Sequence, residues 1–421
     1  MDRLVIEGGN RLVGEVSISG AKNAVLPLMA GGLLTGEGLT ITNVPGLRDI
    51  RTLSGLLTHL GSEVRAEDGT LHIRTAEVPK PVAPYEMVKT MRASILVLGP
   101  LLGRFRKAKV SLPGGCAIGA RPVNMHIEGL RRMGAAVEIE HGYIVAEARD
   151  GLQGERIYLE TPTVTGTENL MLAAVYAKGQ TVIENAALEP EVAFLAEALN
   201  EMGAQISGAG TERIVIEGVD ALKAAVVEVM PDRVEAGTFM IATAMTGGNV
   251  LIKNCPMDHL EALVVKLREA GAVITIEEDG VRVVGKWPIK SVDVKTMPYP
   301  GFPTDMQAQM MAMMAIAGGL SVIRETVFEN RFMHVGELRR MGADIAVDGR
   351  SAIIRGVSGL GGAPLMATDL RASASLVLAG LVAAGRTEVS RIYHLDRGYD
   401  GLEKKLVKLG AVIKRVDDKD E

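Results

Sequence analysis

The stretch Pro113-Gly114-Gly115-Cys116-Ala117-Ile118-Gly119-Ala120-Arg121-Pro122 sets one of the chain's two cysteines among three glycines and ends on Arg-Pro. Glycines open the backbone to conformations closed to other residues and prolines stiffen the edges, so the stretch reads as a loop. A thiol on such a loop is reachable, and the guanidinium of Arg121 favours its reactive thiolate. An isolated C-x4-R spacing fits equally a surface loop whose cysteine does nothing. What favours chemistry is that other charged residues recur at matching points of a repeat.

Lys22, Arg92, Arg233 and Arg371 each stand at the head of an Ala- and Leu-rich segment, and Asp305 heads another in Pro303-Thr304-Asp305. A helix N-terminus carries partial positive charge and unpaired N–H groups, so a cation there opposes the dipole unless an anion arrives. Four such cations together describe a cleft for phosphate or carboxylate. Taken singly, each is explained as well by a neighbouring acid. Glu189-Pro190-Glu191 fits a solvated turn or a site, and Asp369-Leu370-Arg371 and Arg397, in Asp396-Arg397-Gly398-Tyr399, fit ion pairs or a site. Met310, Met311, Met313 and Met314 read as core, and Cys255 as structural. His126 and His394 lack partners at metal-ligand spacing, and no Walker or dinucleotide fingerprint is present, so neither a metal nor a cofactor is expected.

These residues must be positioned by something, and the chain supplies a repeat. Leu, three residues, then Gly recurs with the glycine at 61, 134, 203, 271, 342 and 410, at intervals of 73, 69, 68, 71 and 68. One such motif is an ordinary helix C-cap before a strand; six at near-constant spacing are an internal repeat. Upstream of each lies an apolar segment (24–32, 93–103, 169–179, 236–248, 306–319 and 372–385) followed by a β-type run such as Thr181-Val-Ile-Glu. Segments apolar on every side are buried helices. Each unit of about 70 residues thus reads as a buried helix, a strand, a surface helix and one or two closing strands. Three units to a domain give two α/β domains, in keeping with 421 residues.

Composition narrows the function. With 47% hydrophobic and 23% charged residues and a net charge of −5, the chain lacks the basic excess that nucleic acid or an anionic membrane calls for. Aromatics at 3% argue against base-stacking platforms. Two cysteines suit a reducing compartment, and the start Met1-Asp2-Arg3-Leu4-Val5-Ile6-Glu7 lacks a signal peptide's regions. The apolar runs are too short to span a bilayer. The expectation is a soluble cytoplasmic protein.

Seven motifs in order, Ser19-Gly-Ala-Lys-Asn-Ala24, Lys89-Thr-Met-Arg-Ala-Ser94, Leu112-Pro-Gly-Gly-Cys116, Gly119-Ala-Arg-Pro122, Phe302-Pro-Thr-Asp-Met-Gln307, Phe328-Glu-Asn-Arg-Phe332 and Thr368-Asp-Leu-Arg371, resemble the UDP-N-acetylglucosamine 1-carboxyvinyltransferase family, the MurA-type enolpyruvyl transferases. The resemblance runs from the first strand past Tyr399. It implies an α/β fold of two inside-out domains of three repeats each, the first lobe spanning 22–229 and the second 1–21 with 230–421. The implied reaction moves enolpyruvyl from phosphoenolpyruvate to the 3′-hydroxyl of UDP-N-acetylglucosamine and releases phosphate, the first committed step of peptidoglycan precursor synthesis.

By the same resemblance, Cys116, Asp305, Lys22 and Arg397 are catalytic, with Cys116 as acid on a mobile lid and Asp305 handling the sugar hydroxyl's proton. Lys22, Asn23, Arg121 and Arg397 are expected on phosphoenolpyruvate. Arg92, Arg121, Pro122, Val123, Asn124, Met125, Thr163, Val164, Asp305 and Val327 are expected on the nucleotide sugar. Glu189, Arg331, Asp369 and Arg371 would support the cleft, and the lobes would close on the substrates. The loop cysteine is also the family's target for the epoxide fosfomycin.

One position departs from the family pattern: some members carry a lysine where this chain has Thr161, so a direct contact from Thr161 to the nucleotide's phosphates does not carry over. Three alternatives stand beside this reading. The shikimate-pathway enolpyruvyl transferases share fold and donor but lack the cysteine lid. A non-catalytic paralogue binding the nucleotide sugar would not need Cys116, Asp305 and Arg397 together. A six-repeat scaffold like a sliding clamp suits neither the acidic balance nor the charged residues of the expected cleft. Oligomeric state is not legible in the sequence.

Overall fold

A computed structural model describes residues 2–114 and 123–417. Cys116, Arg121 and Pro122, named above as site residues, lie outside the described residues.

The chain forms two units, residues 2–19 with 231–417 and residues 20–114 with 123–230. Each has its own apolar core built on the segments that the sequence marks as apolar all round. In the second unit these are Lys22–Gly31, Leu98–Phe105 and Val164–Ala174, which pack on one another. In the first unit they are Arg233–Met245, Gln307–Met314 and Leu370–Val382. Every residue of Arg233–Met245 is buried, as are Met310, Met311, Met313 and Met314. Full burial of such an apolar side chain contributes about 1.5–3 kcal/mol, which is why helices without a polar face belong at the centre.

Around each helix trio stand three four-stranded sheets of mixed direction, six in all among the described residues. The strand after a buried helix lies inside its sheet, parallel to a short leading strand and antiparallel to a hairpin strand. In one sheet Arg156–Tyr158 runs parallel to Gln180–Glu184, which pairs antiparallel with Arg213–Glu217 in the register Ile183↔Ile214. That register puts Ile183, Ile214 and Ile216, all buried, on the core face. Amphipathic helices complete the repeats. Arg48–Leu60 buries Leu53, Leu56, Leu57 and Leu60, a single stripe at helical spacing. Its end is Gly61 at φ 113°, whose N–H returns to the last turn. The five equivalent glycines of the repeat, Gly134, Gly203, Gly271, Gly342 and Gly410, also have positive φ, between 89° and 105°, so the repeat seen in the sequence is a set of left-handed caps.

Two details correct the sequence reading. Each repeat opens with a strand that the sequence did not reveal, from Val82–Ala83 at two residues to Val13–Ser17 at five. Stretches this short carry no readable alternation. Second, among the described residues the leading strands are exchanged where the chain passes between units. Val13–Ser17 precedes Lys22–Gly31 yet pairs with Asn249–Lys253, while Ala225–Glu228 pairs with Leu39–Thr42. Arg3–Glu7 lies between Arg386–Ser390 and Val412–Val416, so the chain's first and last strands share a sheet. Among the described residues no helix is long and apolar enough to cross a membrane.

Candidate active site

In the second unit, Gly20-Ala21-Lys22 makes the turn into the first buried helix. Gly20 is required by close approach: a Cβ there would lie 2.0 Å from the Asn43 carbonyl oxygen. Lys22 is the helix's first residue, and its Nζ lies 2.7 Å from Oδ2 of Asp49. Both are buried. The anion that a cation at a helix head calls for is therefore, for Lys22, a carboxylate in the first turn of Arg48–Leu60. Asn23 follows, half-buried.

Arg92 opens a 3-10 turn, Arg92–Val97, ahead of Leu98–Phe105, rather than an α-helix. Its charge bears on His126 of the helix Asn124–Arg132. Burial first, then Arg92, lowers the His126 pKa to about 4. Nδ1 of His126 lies 2.9 Å from Nδ2 of Asn169, whose Oδ1 accepts the Gly99 N–H. The Asn169 amide therefore donates, and the imidazole is the neutral Nε2–H tautomer. Val123 precedes this helix and is buried, Asn124 is exposed, and Met125 is half-buried. The Thr161 hydroxyl donates to Sδ of Met125 at 3.6 Å, which puts the departing position against an expected sugar contact.

Thr163 caps the helix Val164–Ala174, its hydroxyl accepting the Gly166 N–H at 3.3 Å. Farther along that helix, burial first, then Glu191 and Glu189, raises the pKa of buried Glu168 well above the carboxylate range. Glu189 thus belongs to a group of three carboxylates at the head of Pro190–Glu201.

In the first unit, Thr304-Asp305-Met306 is a 3-10 turn at the head of Gln307–Met314. Asp305 is held from both sides. Nη2 of Arg331 donates to Oδ1 at 2.7 Å, and Nε and Nη2 of Arg371 reach Oδ2, each at 3.0 Å. The arginine side chains are 5% and 3% exposed, whereas that of Asp305 is 28% exposed. The guanidiniums are walled in and the carboxylate keeps an open face.

Asp369 caps Leu370–Val382, its Oδ1 accepting the N–H groups of Arg371 and Ala372 at 2.9 and 3.0 Å. Its carboxylate thus fixes the backbone from which Arg371 reaches Asp305. The Arg371 guanidinium also lies 5.4 Å from the ring centroid of Tyr399, two residues beyond Arg397. Arg397 ends the 3-10 turn Ile392–Arg397 and is half-buried. Val327 is half-buried, and its N–H donates to Glu325.

The structure thus gathers Asp305, Arg331, Arg371 and Asp369 into one contact network within the first unit. Sequence reasoning missed Asp49 and Glu325. Asp49 sits in Leu47-Arg48-Asp49, an acid in the first turn of an amphipathic helix, which is a common and uninformative pattern. Glu325 follows a strand and has no spacing that marks it. Among the described residues no group of acids, histidines and cysteines is arranged to hold a metal.

Six helix-centred repeats in two units are the architecture of the enolpyruvyl transferases. The structure matches the enolpyruvyl transferase NikO from Streptomyces tendae with a TM-score of 0.89 at 27% identity, covering 99% of both chains. It matches the fold of EPSP synthase from Acinetobacter baumannii with a TM-score of 0.78 at 18% identity, covering 99% of this chain and 100% of that one. Residues 6–406 match the family model of EPSP synthase (3-phosphoshikimate 1-carboxyvinyltransferase). Within that class the similarity is sharper. The UDP-N-acetylglucosamine 1-carboxyvinyltransferases of Desulfatibacillum aliphaticivorans and Thermodesulfovibrio yellowstonii are 56% and 58% identical to it, over 99% of this chain and all of theirs. The chain belongs to the UDP-N-acetylglucosamine 1-carboxyvinyltransferase family.

Proposed function

We propose that this protein transfers the enolpyruvyl group of phosphoenolpyruvate to the 3′-hydroxyl of UDP-N-acetylglucosamine through Cys116, Asp305, Lys22 and Arg397. The observation that carries the assignment of roles is Asp305, a part-exposed carboxylate gripped on both oxygens by two buried guanidiniums. Such a group is oriented on two sides and open on a third, as a base for an incoming hydroxyl must be.

Phosphoenolpyruvate brings a phosphate and a carboxylate, and Lys22, Arg121 and Arg397, with Asn23, neutralise and orient them. Cys116 delivers a proton to the methylene carbon, leaving oxocarbenium character on the adjacent carbon. The sugar oxygen attacks there while Asp305 accepts its proton. The tetrahedral intermediate then loses phosphate from that carbon and a proton from the new methyl group, which restores the double bond. Arg92, the 121–125 segment, Thr163, Val164 and Val327 hold the nucleotide sugar. Glu189, Arg331, Asp369 and Arg371 keep the charged groups in place.

We read residues 22–229 and 1–21 with 230–421 as the two lobes of the chain. The compartment is the cytoplasm, which suits two cysteines and both substrates. Mass spectrometry of the product tests the assignment. Phosphoenolpyruvate with UDP-N-acetylglucosamine should give the nucleotide sugar carrying an added enolpyruvyl group, and Asp305→Asn should abolish it. An enolpyruvyl adduct on shikimate 3-phosphate instead would refute the acceptor.

A further inference from the structure

Glu325 is 1% exposed, one residue past the strand Leu320–Arg324, and four donors converge on its carboxylate. Oε1 accepts the Thr296 hydroxyl at 2.8 Å, the Val327 N–H at 2.8 Å and the Phe328 N–H at 3.1 Å. Oε2 accepts the Thr304 hydroxyl at 2.8 Å. Thr304 Oγ1 in turn accepts Nη1 of Arg331 at 2.8 Å, and Nη2 of the same guanidinium holds Asp305. A hydroxyl has one proton, so the direction is fixed: Arg331 donates to Thr304, and Thr304 donates to Glu325.

We propose that Glu325 is a positioning residue for the transfer reaction: its carboxylate ties the Thr304-Asp305 turn to the Val327-Phe328 backbone, so that the base and a segment holding the acceptor keep one arrangement. The inference rests on the roles given above to Asp305 and Val327. The burial and the four donors stand independently of them. A buried carboxylate is costly unless its lone pairs are filled, and here the cost is offset because an apolar residue would leave the Val327 and Phe328 N–H groups without this acceptor.

The amide of Glu325→Gln has the shape of the carboxylate but only one acceptor oxygen. Facing Thr296, Val327 and Phe328 its oxygen satisfies three donors, and its NH2 then donates to Thr304, which already accepts from Arg331 and so loses the acceptor for its own proton. The substitution therefore reverses the Thr304 bond and weakens the link to Asp305 selectively. Thr304→Val removes the relay hydroxyl, and Thr304→Ser keeps it.

The test compares kcat and KM for wild type, Glu325→Gln, Thr304→Val, Thr304→Ser and the Gln/Val double variant, with melting temperatures and calorimetric binding of UDP-N-acetylglucosamine. Misplacing a base by a fraction of an ångström lowers kcat by roughly 10- to 100-fold. That loss is expected in Glu325→Gln and Thr304→Val, with sugar binding retained, activity rescued in Thr304→Ser, and the double variant no worse than either single one. Unchanged kcat in Glu325→Gln would overturn the proposal. So would losses that multiply in the double variant, or that follow melting temperature rather than the hydroxyl. If wild type itself made no product, the assignment of function would fall while the calorimetry and melts still reported on the network.

Discussion

Lys22 and Asp49 form a buried ion pair, Nζ to Oδ2 at 2.7 Å, with side chains 10% and 3% exposed. The pair joins the first residue of a core helix to the first turn of a surface helix. Breaking such a buried pair costs about 3–5 kcal/mol. Asp49→Ala should lower the melting temperature accordingly. Asp49→Asn, milder in its effect on folding, should raise the phosphoenolpyruvate requirement several-fold, because Lys22 then loses its tether while the sugar's contacts are untouched. Equal changes in KM for both substrates would show that the pair serves folding alone.

Two buried groups give the second unit opposite pH dependences. His126 is held to about 4 by burial and then by Arg92, below the unfolded value of about 6.5. Its contribution is complete above about pH 6.5 and is lost as pH falls towards about 4, in full about 3 kcal/mol. Glu168 has its pKa raised by burial, Glu191 and Glu189, so its contribution is present below its unfolded value and lost as pH rises through the folded one. His126→Gln should flatten the fall in melting temperature on the acid side, and Glu168→Gln should flatten the fall as pH rises beyond the usual carboxylate range. Parallel curves for all three proteins would remove both groups from the account.

Arg415 anchors the turn that carries Arg397. Its Nη1 and Nη2 reach Asp396 at 3.1 and 2.6 Å, and its Nε reaches Glu403 at 3.1 Å. Arg415→Ala should raise KM for phosphoenolpyruvate several-fold with little loss of stability, since the guanidinium is part-exposed. Arg415→Lys should rescue only partly, because an ammonium cannot reproduce the forked contact. A KM equal to wild type in both would free Arg397 from this anchor.

The repeat was legible because it is written in backbone necessity. Gly61 and its five equivalents adopt positive φ, which penalises other residues, and helices with no polar face have only the core to occupy. Leading strands such as Val82–Ala83 and Val294–Lys295 were not legible, since two residues make no pattern. Nor was the exchange of Val13–Ser17 with Ala225–Glu228, which depends on partners more than 180 residues away. At the site, Asp305 and the arginines stood out by motif. Their supports did not: Asp49 and Glu325 act through distances in space that no spacing in the sequence encodes. The cations read as awaiting a ligand turned out, at Lys22 and Arg371, to hold carboxylates already.

Cys116 offers a separation of two roles. If it is the acid, Cys116→Asp should retain turnover shifted towards acid pH, since its reference pKa is about 3.9 against about 8.5 for a thiol. Cys116→Ser should be nearly inactive, and the Asp variant should resist epoxide alkylation, which needs the sulfur. Turnover against pH for the three proteins, with and without fosfomycin, decides this. An Asp variant as dead as Ser at every pH would mean that the sulfur must bond covalently to substrate.

The central claim is the pairing of donor and acceptor, and phosphate release measures it. With phosphoenolpyruvate alone the purified protein should release no phosphate beyond background. Adding UDP-N-acetylglucosamine should start release, one phosphate for each nucleotide sugar converted, and shikimate 3-phosphate should not replace it. Release that ignores the nucleotide sugar, or that starts with shikimate 3-phosphate, would contradict the account.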